Sequence, residues 1–212
     1  MLSQVIGYNR LASYYDFLVR LFFGTKLAKA QFHFISKIKS GKVLIIGGGT
    51  GNILLECLKY YPNSQYYYID IASRMVALTM QKVKKKYPKS AINYVVGSIE
   101  DIEIDLKFDS VILPFVLDSM SAKELGVLFY RVDKMCEKGS QILFTDFCYS
   151  DRNWFWKVYS IVLITGLYLF FNLVCGLKRY KLPAYESYFR KMKLVEEKSF
   201  LKGTIISQVY AH

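Results

Sequence analysis

The sequence predicts an α/β domain built on a mostly parallel sheet, and three observations carry that prediction. From residue 42 onward, short β-branched or aromatic runs alternate with helical stretches, the pattern of strands joined by crossover helices. A glycine-rich bend, Gly47-Gly48-Gly49-Thr50-Gly51, ends the first of these runs and opens a helix. The last two runs are separated only by Leu201-Lys202-Gly203, a turn signal that reads as an antiparallel hairpin closing the sheet.

Taken in order, residues 1–40 form a helical cap in which Leu11, Tyr14, Tyr15, Leu18 and Leu21 or Phe22 recur at helical spacing. It is expected to pack on the sheet or cover its ligand-binding edge. Strands are placed at 43–46, 66–70, 92–96, 110–113, 141–146, 194–200 and 204–210, seven in all. Helices fall at 51–60, 73–87, 122–135 and 183–192. Residues 41–150 and 182–212 then make one domain, and 151–181 are an insertion after the fifth strand.

The insertion contains VYSIVLITGLYLFFNLVCGL, residues 158–177, without a single charge. A helix of that length can cross a bilayer. A single crossing is excluded, because it would put the strand ending near 146 and those after 194 on opposite sides of the membrane. The consistent options are an excursion that enters and returns, bent near Gly166, a helix lying in the interface, a lid, a dimerisation element or a buried helix pair. Trp154 and Trp156 before it and Lys178, Arg179 and Lys181 after it match the flanks of membrane-interface segments.

Charge and composition narrow the partners. With 29 Lys plus Arg against 17 Asp plus Glu, the net charge is +12, which favours an anionic partner, a membrane surface or nucleic acid. A hydrophobic share of 53% excludes a disordered chain. Cys57, Cys136, Cys148 and Cys175 show no CxxC pair, so neither a zinc ribbon nor a disulfide framework is indicated. The first residues lack the apolar core and cleavage site of a signal peptide. The expected location is therefore cytoplasmic, peripheral at the inner face of a membrane.

The glycine bend departs from the dinucleotide fingerprint G-x-G-x-x-G, since Asn52 stands sixth from Gly47. It matches G-x-G-x-G at Gly47, Gly49 and Gly51, and Asp70 follows nineteen residues after Gly51 at a strand end. An acid there can accept both hydroxyls of a ribose. The run Lys82 to Lys86 closes a helix, where cations complement the dipole, and reads as a solvated face.

At this point the chain resembles the class I S-adenosylmethionine-dependent methyltransferases, with their Rossmann-like fold, from Val43 to the end. VLIIGGGTGN resembles the family's first motif, YYYIDIASRMV its second, VVGSIED its third and FDSVILPFVLDSM its fourth. MCEKGSQILFTDF resembles the helix, turn and fifth strand. GGTG with the upstream LASYYDFLVRLFFG is similar to the ubiquinone and menaquinone biosynthesis methyltransferases. The resemblance implies S-adenosyl-L-methionine as cofactor. It places Gly47, Gly48, Gly49, Gly51 and Asn52 in the cofactor loop, with Asp70 at the ribose. Ile71 and Met75 would meet the adenine, and Ser98 and Ile99 its other side. Leu113 and Pro114 would lie beneath the sulfonium, and Tyr15 would close over the carboxylate. Ile45 and Ser98 stand where the family often has acidic residues; Glu100 or Asp101 is the expected substitute for the second.

Methyl transfer from a sulfonium is an in-line displacement that needs no metal. A weak acceptor, such as a phenol or an enolisable carbon, also needs a base. Asp118, past the fourth strand, and Asp146, at the end of the fifth, are the candidates, since strand ends of this kind face the ligand crevice. Phe115, Phe147 and Tyr149 are the candidate acceptor contacts. The apolar insertion points to a lipophilic small molecule, a quinol or a lipid-like natural product, with an anionic membrane surface and a homodimer as further partners. RNA methylation and a non-catalytic membrane scaffold are the alternatives. Nucleic acid is disfavoured by Ile112-Leu113-Pro114-Phe115, which lacks the polar residue that holds a base amine.

Overall fold

Val43, Leu44, Ile45 and Ile46 are all buried, which is the pattern of a central parallel strand covered on both faces. The computed structural model describes residues 2–212. Its strands are β1 (Lys42–Ile46), β2 (Gln65–Asp70), β3 (Ile92–Val96), β4 (Phe108–Pro114), β5 (Cys136–Phe147), β6 (Lys193–Phe200) and β7 (Ile205–Ala211). They form one sheet in the order β3-β2-β1-β4-β5-β7-β6. The first five run parallel, and β7 pairs antiparallel with both β5 and β6. The chain direction of winding reverses between β1 and β4, so the crevice at their carboxyl ends is where an open α/β sheet places its ligand.

The helices are α1 (Leu2–Phe23), α2 (Lys26–Phe32), α3 (Asn52–Tyr60), α4 (Ser73–Lys86), α5 (Ala122–Met135) and α6 (Trp154–Cys175). Alternation along β1 divides the core in two. Leu44 and Ile46 join Leu128 and Val132 of α5, whereas Val43 and Ile45 join Ile53 and Leu58 of α3 and Val76 of α4. Ile45 therefore faces the α3 core, and an acid in its place would be buried among apolar side chains. The start of α5 is a capping box: Ser121 Oγ accepts the Glu124 N–H, and Glu124 Oε2 accepts the Ser121 N–H at 2.6 Å.

Four expectations change. Residues 183–192 do not form an α-helix; Tyr185–Lys191 is a 3-10 segment, because Tyr185 and Phe189 are drawn onto Phe144 of β5 at ring separations of 5.1 and 5.0 Å. The fifth strand begins at Cys136 rather than 141, since Gly139, at φ +92°, carries the chain through what reads as a turn. Tyr14 and Leu21 of α1 are exposed rather than packed. The insertion does not return as a buried pair: α6 is one helix, uninterrupted through Gly166, and only Ser160, Ile164, Tyr168 and Cys175 of it are buried. Asn153 caps its start, its Oδ1 accepting the Trp156 N–H at 3.0 Å, and Gly176 ends it at φ +62°.

α1 lies directly on α6 at Gly7, where an added Cβ would sit 2.2 Å from the Cα of Cys175. Only hydrogen fits there, so Gly7→Val must push the helices apart. The expected loss is about 1–3 kcal/mol, a fall of roughly 2–12 °C in the thermal midpoint for a domain of this size. Circular dichroism melts check it; an unchanged midpoint would mean that α1 does not rest on α6.

Candidate active site

The bend after β1 has the backbone of a binding loop. Gly47 and Gly49 adopt φ +70° and +62°, a region costly for other residues. A Cβ on Gly47 would strike Val116 at 2.4 Å, whereas one on Gly49 would meet only the Tyr15 ring, at 3.9 Å. Gly49 thus presents bare backbone to a cavity of about 460 Å³, within the size range of small-molecule sites. Gly47, Gly49, Asp70, Ile71, Met75 and Tyr15 line it on one side, and Ser98, Ile99 and Glu100 continue that wall.

Asp70 is the anchor. Its Oδ2 accepts the Gly49 N–H at 3.0 Å and its Oδ1 the Ala72 N–H at 2.9 Å. Each oxygen keeps lone-pair capacity for one more donor on the cavity side. Burial pushes its pKa up to about 6, and the two amides restrain the rise. A buried carboxylate with one unfilled acceptor site on each oxygen, beside a bare glycine backbone, fits the ribose hydroxyls of an adenosyl cofactor.

α1 is held over this site by polar ties. Asp16 accepts from Thr50 Oγ1 at 2.5 Å, Asn52 Nδ2 at 3.0 Å and Lys82 Nζ at 2.8 Å. Burial works against its charge, but these hydrogen bonds hold Asp16 below the usual carboxylate range. Asn9 Oδ1 accepts the Arg74 N–H at 2.9 Å, tying α1 to the first turn of α4. Lys82 is thus a structural partner of α1 rather than part of a solvated run.

The opposite wall comes from the loops after β4 and β5 and from α6. Phe115, at φ +52°, is a bulky residue in left-handed backbone, a strain of about 1–3 kcal/mol of the kind concentrated at functional sites. Its ring lies 5.2 Å from that of Phe147, and both line the cavity. Asp118 lines it too. Asp118 is half-buried in the wall of the cavity, and burial pushes its pKa up to about 7. Its backbone carbonyl accepts from Tyr168 Oη of α6 at 3.0 Å.

Several residues chosen from the sequence lie elsewhere. Gly48 packs on the Tyr68 ring and Gly51 on Thr79, while Asn52 points outward to Asp16. Leu113 and Pro114 are buried in the sheet, and Tyr149 is exposed beyond the cavity. Asp146 is fully buried and outside the lining. Its Oδ2 accepts the Leu117 and Asp118 N–H groups at 3.0 and 3.1 Å, and its Oδ1 the Phe147 N–H at 2.8 Å. That makes it the brace of the Asp118 loop and not a group positioned to meet an acceptor. Asp101 is consumed in a capping box with Ser98, accepting its N–H at 2.8 Å, which leaves Glu100 as the carboxyl facing the cavity. Tyr8, Phe22, Phe170 and Phe171 line the cavity without having been singled out as site residues. Their signal was present in the spacing of α1 and the aromatic content of the insertion, but their pairing spans some 150 residues of sequence.

Comparison with known proteins agrees with this geometry. A family model described as "Methyltransferase domain" matches residues 43–139. A demethylmenaquinone methyltransferase of Chlamydia caviae is 33% identical over 67 residues, 32% of this chain and 27% of the relative. A malonyl-[acyl-carrier protein] O-methyltransferase of Ilyobacter polytropus is 29% identical over 105 residues, 50% of this chain and 39% of the relative. The matches therefore span well under half the length of these curated relatives. Among solved structures, the N-methyltransferase NodS of Bradyrhizobium japonicum, in complex with S-adenosyl-L-homocysteine, superposes with a TM-score of 0.61 at 14% identity, covering 89% of this chain and 84% of that one. Residues 43–139 therefore carry a methyltransferase domain, and the seven-stranded sheet built around them has the fold of the S-adenosylmethionine-dependent methyltransferases.

Proposed function

We propose that this chain transfers a methyl group from S-adenosyl-L-methionine to a lipophilic small molecule, a quinol or a lipid-like natural product. The observation that carries the reading is the continuity of one cavity: Asp70 and Gly49 line its polar end, and Leu18, Val19, Leu167 and Phe171 its apolar end. Asp118 belongs to the same lining. The names of the demethylmenaquinone and malonyl-acyl-carrier relatives are in keeping with acceptors of that kind.

When bound, S-adenosylmethionine supplies a methyl group on a positively charged sulfur. Asp70 orients the ribose, and Tyr15 covers the bare face of Gly49. Phe115, Phe147 and Phe171 exclude water, which favours a displacement in which charge is lost. Asp118, in the lining of the same cavity, would take up the proton that the acceptor gives up on methylation. A carboxyl with a pKa of about 7 is well placed for that role near neutral pH.

The test is a cell extract separated into lipid, small polar and RNA fractions and incubated with the enzyme and an isotopically labelled methyl donor. Label is expected in the lipid fraction. Asp118→Asn should lower turnover by about 100-fold or more while leaving donor affinity within about two-fold, that is, within about 0.4 kcal/mol. Label confined to RNA would overturn the reading.

A further inference from the structure

We infer that the outer faces of α1 and α6 form one docking surface for an anionic lipid bilayer, with the mouth of the cavity opening onto it. The inference rests on the lipophilic-acceptor reading for its purpose, although its first readout does not depend on it.

α6 has a mean hydropathy of 2.0 over its apolar window, yet only 22% of that window is buried. Val158, Val162, Leu169 and Leu173 recur on one side of the helix, and Leu173 is 87% exposed. A solvated helix has no reason to place apolar residues there. α1 adds Tyr14, Phe17 and Leu21, each about two-thirds exposed and spaced so as to share a face. The two helices meet at Gly7 against Cys175, at Tyr8 against Phe171 and at Phe22 against Phe170, the last two pairs with ring centroids 6.2 Å apart. Phe22 is at once 59% exposed and part of the cavity lining. The cavity therefore reaches the surface at the α1–α6 seam, among the same exposed apolar side chains.

Charge decides the occupant. Arg152, Lys157 and Lys202 gather at the amino end of α6, where Lys202 Nζ stands 5.2 Å over the Trp156 ring. Lys178 and Lys181 follow its carboxyl end. Among the described residues none of these five forms an ion pair. A second copy would bring the same +12 charge and the same cationic rims against them, whereas an anionic headgroup layer complements both. Aromatic and basic residues at the ends of an apolar face are what an interfacial helix requires.

The orientation also follows. The buried face of α6 is fixed to the domain by Ile164 and Tyr168, and its carboxyl end by Asn172, which donates to the Arg179 carbonyl at 2.7 Å and accepts the Arg179 N–H at 3.0 Å. The chain then returns to β6 and β7 of the sheet that β5 had already joined. The helix lies along the membrane plane and does not cross it.

The experiment is flotation of the full chain with vesicles of phosphatidylcholine, with and without phosphatidylglycerol, beside a variant carrying Val162→Glu, Leu169→Glu and Leu173→Glu. All three positions are exposed, so the fold is expected to survive, and a thermal melt verifies it. The native chain should float with the anionic vesicles and be released by high salt, and the variant should lose at least about ten-fold in partitioning. The variant should methylate a detergent-dispersed lipid extract as the native chain does, but label the same extract poorly when it resides in vesicles. Equal flotation of the two proteins overturns the docking surface. So does a dimer by light scattering that the variant abolishes, when neither protein floats. Flotation without any labelled lipid leaves the surface standing and overturns the acceptor, while labelled lipid in detergent without flotation does the reverse.

Discussion

Asp70→Ala is expected to weaken binding of the methyl donor by about 100-fold. The carboxylate has one unfilled acceptor site per oxygen, and two hydrogen bonds from ribose hydroxyls to a charged acceptor contribute at least about 3 kcal/mol together. A second loss compounds the first. Asp70 Oδ2 and Oδ1 hold the amides of Gly49 and Ala72, so alanine also frees the bend that presents its backbone to the cofactor. Asp70→Asn retains the shape and one acceptor oxygen, but its amide nitrogen opposes the Gly49 or the Ala72 N–H donor to donor, so its loss is expected to fall between about ten-fold and that of alanine, about 1.4–2.7 kcal/mol. Titration calorimetry with the donor or its demethylated product reads both variants. Because burial lifts the Asp70 pKa to about 6, donor affinity in the native protein should fall as pH drops through 6 and protonation removes the acceptor charge. Donor affinity in Asp70→Ala within about three-fold of native, under about 0.7 kcal/mol, would mean that the ribose is held elsewhere.

Asp70 and the glycine bend were legible because their evidence is local: a buried strand, a run that only glycine tolerates, and an acid at the next strand end. The sheet was legible for the same reason, since each crossover unit carries its own alternation of apolar strand and amphipathic helix. What sequence did not distinguish is which residues of a motif face the ligand. Gly48 and Gly51 are glycines because Tyr68 and Thr79 crowd them, and those neighbours come from β2 and α4. Asn52 belongs to a network with Asp16 and Lys82, assembled from three helices. The aromatic segment 183–192 carries a helical spacing, but its rings serve Phe144 and Phe129, and tertiary packing overrides so short a periodicity. The uncharged insertion permitted several architectures because length and hydropathy say nothing of which face is covered. Gly7 and Cys175 supply that answer only once they are in contact.

The largest expected pH effect comes from Asp118 and Asp146. Both are acids whose folded-state pKa is raised by burial, and the charge of Asp118 raises Asp146 further. A group of this kind stabilises the fold when protonated in both states, below its ordinary value near 4, and that contribution is lost as pH rises through the folded value near 7. For a shift of this size on Asp118 the loss amounts to up to about 4 kcal/mol. Asp16 and Glu124, whose values are lowered, act in the opposite sense but below about pH 4, outside the window. Urea denaturation at pH 5 and pH 8 should therefore find Asp118→Asn more stable than native by up to about 1.6 kcal/mol at the lower pH, where the unfolded carboxyl is already ionised, and by up to about 4 kcal/mol at the higher, a comparison in which the general charge of the chain cancels. No difference at pH 8 would mean that Asp118 is hydrated like a surface acid and is not held in reserve as a base. Asp146→Asn should behave otherwise. Its carboxyl accepts three backbone N–H groups, and an amide nitrogen in place of either oxygen opposes donor to donor, so this variant loses stability at both pH values. The pair thus separates by geometry into two tasks: Asp146 fixes the loop, and Asp118, on the cavity side of that loop, holds a proton site whose charged form destabilises the fold.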